Sequence, residues 1–93
     1  MYHVYIMAIG RNGTLYIGVT GNLVRRAYQH RMGEIDGFTK RYSIKMLVHV
    51  EAFDQIEAAI LREKSLKKWP RRWKLALIER QNPEWRDLYE GLL

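Results

Sequence analysis

Tyr2-His3-Val4-Tyr5-Ile6-Met7-Ala8 and Thr14-Leu15-Tyr16-Ile17-Gly18-Val19-Thr20 flank the turn Gly10-Arg11-Asn12-Gly13, and this stretch, residues 2–20, decides the fold. Both runs read as β-strands, and Asn12-Gly13 tolerates the positive φ of a tight hairpin turn. Along the first run Val4, Ile6 and Ala8 share one face, while His3, Tyr5 and Met7 share the other. Along the second, Leu15, Ile17 and Val19 oppose Tyr16, Gly18 and Thr20. A turn at Asn12-Gly13 pairs odd positions with even ones, so Tyr5, Tyr16, Gly18 and Thr20 are expected on one face. Gly18 leaves a bare patch of backbone there, where another molecule can approach. Two readings of this face stay open: the phenols cover a helix with their hydroxyls in water, or they line a site.

Downstream, Gly21-Asn22 breaks the second strand. Asn22 caps a helix running to about Met32, with Gly33 as its stop. A loop from Gly33 to Ser43 is rich in Gly and charge, and Met46 to Phe53 reads as a third strand. Asp54 and Glu57 form a capping-box-like pair before a second helix, Gln55 to about Lys68. Pro70 suits the first turn of a third helix, to about Arg80, and Asn82-Pro83 starts a short helical tail with Trp85 and Leu88. The order is ββαβαα: an α+β fold with a small three-stranded, mostly antiparallel sheet and helices packed around it. The 93 residues, without internal repeat or low-complexity linker, are expected to form one domain, 1–93.

Composition narrows the function. With 47% hydrophobic and 12% aromatic residues the chain can bury a core and is unlike a disordered tail. Cysteine is absent, which excludes disulfides and thiolate zinc sites. A bound metal must take oxygen or imidazole ligands, which points to Mg²⁺ or Mn²⁺. No signal peptide and no apolar run of membrane-spanning length is present, so a cytoplasmic protein without membrane contact is expected. Sixteen Lys+Arg against ten Asp+Glu give a net charge of +6, which favours an anionic partner, nucleic acid first.

The helices add candidate groups. In the first, Leu23, Val24, Ala27, Tyr28 and Met32 are expected to form the apolar side, with Asn22, Arg26 and His30 along its edge. Arg26 and His30 are four apart and therefore neighbours, either as two solvated polar groups or as a cation and an acid/base for an anionic substrate. In the second, Ile56, Ala59, Ile60 and Leu66 make a core-facing stripe with Glu63 near its middle. A carboxylate there is either satisfied by a nearby Arg or Lys, or projects into a cleft and binds a cation. Arg62, Lys64, Lys67, Lys68, Arg71, Arg72 and Lys74 are interleaved with Trp69 and Trp73. That pattern suits phosphate contact, against the reading of a solvated surface; both tryptophans are expected to be mostly core and several of the cations functional.

Taken together, these positions resemble the GIY-YIG nuclease superfamily. The likeness is closest to its small single-domain bacterial members, related to the catalytic domain of the excision-repair endonuclease subunit. The two half-motifs look like His3-Val4-Tyr5 and Tyr16-Ile17-Gly18. The family's Asn-Leu pair looks like Asn22-Leu23, its arginine like Arg26, the following His or Tyr like His30, and its metal-binding glutamate like Glu63. The segment from Ala59 to Trp85 is similar to the small-protein subgroup. There are departures. His3 stands where the first half-motif has Gly, and Val19 stands where several members have a lysine that helps activate the nucleophile. His30 or Lys40 is then the substitute, and Asn82 is the nearest counterpart of a late family asparagine.

The resemblance implies a metal-dependent endonuclease hydrolysing phosphodiester bonds, in DNA rather than RNA, with structure-selective or weakly specific action of the DNA-repair kind. Tyr5 would be the general base or its relay assisted by His30, Tyr16 would orient water or phosphate, Arg26 would bind the scissile phosphate, and Glu63 would hold Mg²⁺ or Mn²⁺. Gly18, Thr20, Asn22, Lys40, Arg41, Lys64, Lys67, Lys68, Arg71 and Arg72 are the expected nucleic-acid contacts, the loop Gly37 to Tyr42 touching backbone. A partner protein would supply specificity. The alternatives are a nucleic-acid-binding module with weak or no catalysis on the same fold, and a structural or interaction domain.

Overall fold

The computed structural model describes residues 1–35 and 37–93, the side chain of residue 39 excepted; position 36 and the Thr39 side chain of the expected Gly33–Ser43 loop thus lie outside the described residues. The expected hairpin forms from β1 (Tyr2–Ala8) and β2 (Leu15–Thr20). After helix α1 (Leu23–Arg31), the expected loop contains one helical turn, α2 (Phe38–Arg41), before β3 (Met46–Phe53). Helices α3 (Ile56–Lys68) and α4 (Arg71–Gln81) complete the ββαβαα order. β3 pairs with the other side of β1, giving an antiparallel sheet of order β2-β1-β3 with β1 in the middle.

The hairpin register carries the first consequence. A two-residue turn at Asn12-Gly13 would set Tyr5 opposite Thr20. Instead the Gly13 amide donates to the Gly10 carbonyl at 3.0 Å, and in the hairpin only Asn12 takes a positive φ, 56°. The turn is therefore longer, and the pairs slide by two: His3 faces Thr20, Tyr5 faces Gly18 and Met7 faces Tyr16. A slide of two preserves parity, so the expected shared face survives.

Two cores lie on opposite faces of the sheet. On one, Val4, Ile6, Ala8, Ile17 and Val48 pack under Ala59 and Leu66 of α3, Ile78 of α4 and Trp85. On the other, Tyr5 and Met7 pack with Leu23 and Ala27 of α1, Ile44 and Leu47. Ile56, expected in the α3 stripe, is exposed at the helix start. The capping box expected at Asp54 does not form: Gln55 is the N-cap and no side chain caps it, which leaves Glu57 one position too early to reach back.

The C-terminal segment joins the two cores. Trp85 is buried in the first core at φ 54°, and Leu88, Tyr89 and Leu92 cover the second. The helical tail expected from Asn82 is absent; only Glu90–Leu92 forms a 3₁₀ turn. The Asn82 side chain explains this, because its Oδ1 accepts the Arg86 amide at 2.9 Å while its Nδ2 donates to the carbonyls of Val48 and Arg86. Asp87 then accepts the amides of Leu47 and Tyr89 and pairs with Arg31.

Candidate active site

Thr20 and Asn22 set where α1 starts. The Thr20 hydroxyl accepts the Asn22 amide at 3.0 Å, and Asn22 Oδ1 accepts the Arg25 amide at 3.2 Å, an N-cap of the ordinary kind. Both side chains expected to touch nucleic acid thus also hold the helix. The start fixes the helical phase, and the inward face is Leu23, Arg26, Ala27 and His30 at spacings i, i+3, i+4, i+7. His30 is buried and Arg26 half-buried, whereas Val24, Tyr28 and Met32, expected on the apolar side, are exposed. The helix turns its polar edge toward the sheet because Tyr5 offers the buried imidazole a hydrogen-bond partner.

That partner organises the site. Tyr5 Oη lies 3.0 Å from His30 Nε2, both side chains being almost fully buried. Tyr16 closes the group, its ring 6.3 Å from that of Tyr5 and 5.3 Å from the His30 imidazole. Gly18 is the seat of the Tyr5 ring. A Cβ at Gly18 would stand 2.5 Å from Tyr5 Oη and 2.6 Å from Cζ, so the bare patch expected at Gly18 is filled by the phenol of this chain. Tyr5 grows from the central strand yet delivers its hydroxyl over the edge strand β2.

Burial sets the protonation states. It pushes the Tyr5 phenol well above its usual value, helped by Tyr16 and Glu63 and opposed by Arg26. Burial, with the nearby Arg26 charge, pushes His30 down to about 4. Tyr5 is therefore a protonated phenol at neutral pH and His30 a neutral imidazole in hydrogen-bond contact with it. Between pH 6.5 and about 4 the unfolded chain protonates this imidazole while the folded chain does not. Its contribution to stability is complete above pH 6.5 and is lost as the pH falls toward 4. Thermal melts across that window should show wild type losing stability more steeply than His30→Gln; equal slopes would contradict this protonation state.

Glu63 comes from α3, the helix packed on the other face of the sheet. Its side chain is 15% exposed and pairs with Lys67 Nζ at 3.2 Å, one helical turn on, while its charge reaches Tyr5. Lys67 is half-exposed, so this is a surface-side pair of small worth, open to displacement by a divalent cation. No group of three His, Cys, Asp or Glu side chains gathers among the described residues. A lone carboxylate fits Mg²⁺, which keeps several waters and commonly binds through one or two carboxylates plus substrate phosphate.

The other expected contacts separate into two kinds. Lys40, Arg41, Lys64, Lys68 and Arg72 are exposed. Arg71 is committed to structure, its guanidinium donating to the hairpin carbonyls of Asn12 and Gly13 at 2.7 and 2.6 Å. Trp69 is half-buried, but Trp73, expected in the core, is half-exposed and meets Trp69 edge-on. Arg62 is held by Glu51, which also binds buried His49. Asn82 lies at the chain crossover and serves structure only, and Val19 packs into the first core, on the face away from Tyr5.

A polar cleft of about 350 Å³ opens beside Arg26, lined by Thr20, Gly21, Asn22, Arg25, Arg26 and Gln29. Arg25 and Gln29 were not singled out from the sequence; their i, i+4 spacing beside the cap is the signal that marks them. The rings of Phe38 and Tyr42 were also missed individually. Phe38 stacks at 6.4 Å on Tyr16, and Tyr42 follows at 4.9 Å.

Comparison with known proteins places the chain in a family. The family model of the GIY-YIG catalytic domain matches residues 1–76. A UPF0213 protein of Syntrophus aciditrophicus is 39% identical over 83 residues, 88% of this chain and 93% of that protein. One from Halobacterium salinarum is 35% identical over 78 residues, 84% of this chain and all of that protein. The solution NMR structure of a UPF0213 protein from Bacillus halodurans superposes with a TM-score of 0.58 at 28% identity, covering 94% of this chain and 93% of that one. The family implies endonuclease-type activity on nucleic acid. With the family model spanning residues 1–76 and a relative 39% identical over most of both chains, the protein belongs to the GIY-YIG catalytic-domain family.

Proposed function

We propose that the protein is a divalent-metal-dependent endonuclease that hydrolyses phosphodiester bonds in DNA, with the cut made at the Tyr5 hydroxyl. The observation that carries this reading is the 3.0 Å contact between Tyr5 Oη and His30 Nε2, within electrostatic reach of Arg26 and Glu63. Tyr5 takes a proton from the attacking water as it passes its own to His30 Nε2. The bond from water oxygen to phosphorus forms while the bond to the leaving oxygen breaks. Tyr16, beside both rings, orients the water or the phosphate. Arg26 supplies charge-assisted donors to the phosphate, for which a planar guanidinium is suited. A phosphate on Arg26 also offsets the smaller part of the His30 depression, the part due to the Arg26 charge, burial being the larger cause. Glu63 would hold the metal ion, which when bound supplies charge neutralisation at the leaving 3′ oxygen.

A second reading, a DNA-binding module without useful catalysis, is favoured by two features: burial holds Tyr5 protonated, and position 19 offers valine instead of lysine. Incubation of a plasmid and of branched and single-stranded oligonucleotides with Mg²⁺ or Mn²⁺ separates the two. Cleavage that is abolished by chelator is expected. Salt-sensitive binding without cleavage under any of these conditions would select the second reading.

A further inference from the structure

We infer that Phe38 and Tyr42 form a base-stacking platform that selects a strand with unpaired nucleotides and feeds it to Tyr16. This inference rests on the nuclease reading above. The rings run outward from the site without a gap: His30 to Tyr16 at 5.3 Å, Tyr16 to Phe38 at 6.4 Å and 27° between planes, Phe38 to Tyr42 at 4.9 Å. Only the inner end is buried. Phe38 is 46% and Tyr42 45% exposed, although a Phe and a Tyr four residues apart on a helical turn could have been folded into the adjacent core. Large rings left half in water beside a site are surfaces for a flat, apolar partner.

Charge identifies that partner. Arg41 lies over the Tyr42 ring, 5.7 Å from its centroid, and Lys40 is in the same turn, so cations flank the rings. Aromatic faces edged by cations match a strand that presents bases and phosphates together. In a duplex the bases are already stacked on each other and their faces are closed. The platform therefore discriminates by strand state and not by base edge, because a ring stacks on every base and reads none.

The test reads stacking apart from cleavage. A single-stranded oligonucleotide carrying one 2-aminopurine, and the same sequence as a perfect duplex, are titrated with the protein in chelator, so nothing is cut. Wild type should quench the single strand and bind it more tightly than the duplex. Phe38→Ala and Tyr42→Ala should each weaken single-strand binding by about 5- to 150-fold, the range for losing one stacked base, while duplex affinity stays unchanged. Phe38→Trp should restore the quench, which separates stacking from a folding defect. Unchanged single-strand affinity in the alanine variants, or an equal loss on both substrates, overturns the platform. A chain that quenches the probe as expected but cuts no substrate with metal overturns the nuclease reading and leaves the platform standing.

Discussion

Glu63→Gln is expected to lower strand cleavage by about 10²- to 10³-fold, the ~3 to 4 kcal/mol commonly lost with one electrostatic contact to a transition state, and to leave strand binding in chelator close to wild type. The substitution keeps the shape of a side chain that is 15% exposed and removes only its charge. The fold has little at stake, since the Lys67 end of this i, i+4 pair is half-exposed and such pairs are worth about 0.3 to 0.5 kcal/mol. Lys67→Ala is the companion measurement. If Glu63 is there for the metal, Lys67→Ala keeps metal-dependent cleavage far above that of Glu63→Gln; if it is there only for the ion pair, both variants behave alike. Full metal-dependent cutting by Glu63→Gln would remove the carboxylate from the mechanism.

Gly18→Ala should lower cleavage by about 10²-fold while the protein still folds. The new methyl group enters space held by the Tyr5 hydroxyl, 2.5 Å away, and the ring must move. Its room is limited by Tyr16 and His30, so the hydroxyl leaves the line to His30 Nε2. A misplacement of about 1 Å at a reacting group is enough for a loss of that size. Overpacking at a tight site costs about 1 to 3 kcal/mol, so a lower melting temperature accompanies the lower rate. Cleavage assays beside thermal melts check both, with Tyr5→Phe as the reference for a lost hydroxyl. Wild-type cutting by Gly18→Ala would show that the seat under Tyr5 does not matter.

Local pattern made much of this legible and failed where a partner was needed. The strand alternation gave the correct face for Tyr5, Tyr16, Gly18 and Thr20, because parity is indifferent to a turn that grows by an even number of residues. The pairing of Tyr5 with Gly18 was not readable, since it depends on the turn's own hydrogen bonds. In α1 the apolar count put Val24, Tyr28 and Met32 inside. The helix is rotated instead so that His30 meets Tyr5, a contact made across 25 positions in sequence. Glu63 stood out in its stripe because a carboxylate between Ala59 and Leu66 conflicts with burial, and that conflict survives in the structure as a half-buried charge near the site. Asn82-Pro83 looked like a helix start, but its amide serves two carbonyls and one amide of other residues, which no propensity encodes.

The crossover at Asn82, Trp85 and Asp87 bears on the order in which the parts of the molecule can pack. Residues 88–92 supply part of the wall around the Tyr5 layer, and Arg31 waits for Asp87, which lies 56 positions later. The layer around Tyr5 thus draws on both ends of the chain, through contacts made 40 and 56 positions apart in sequence.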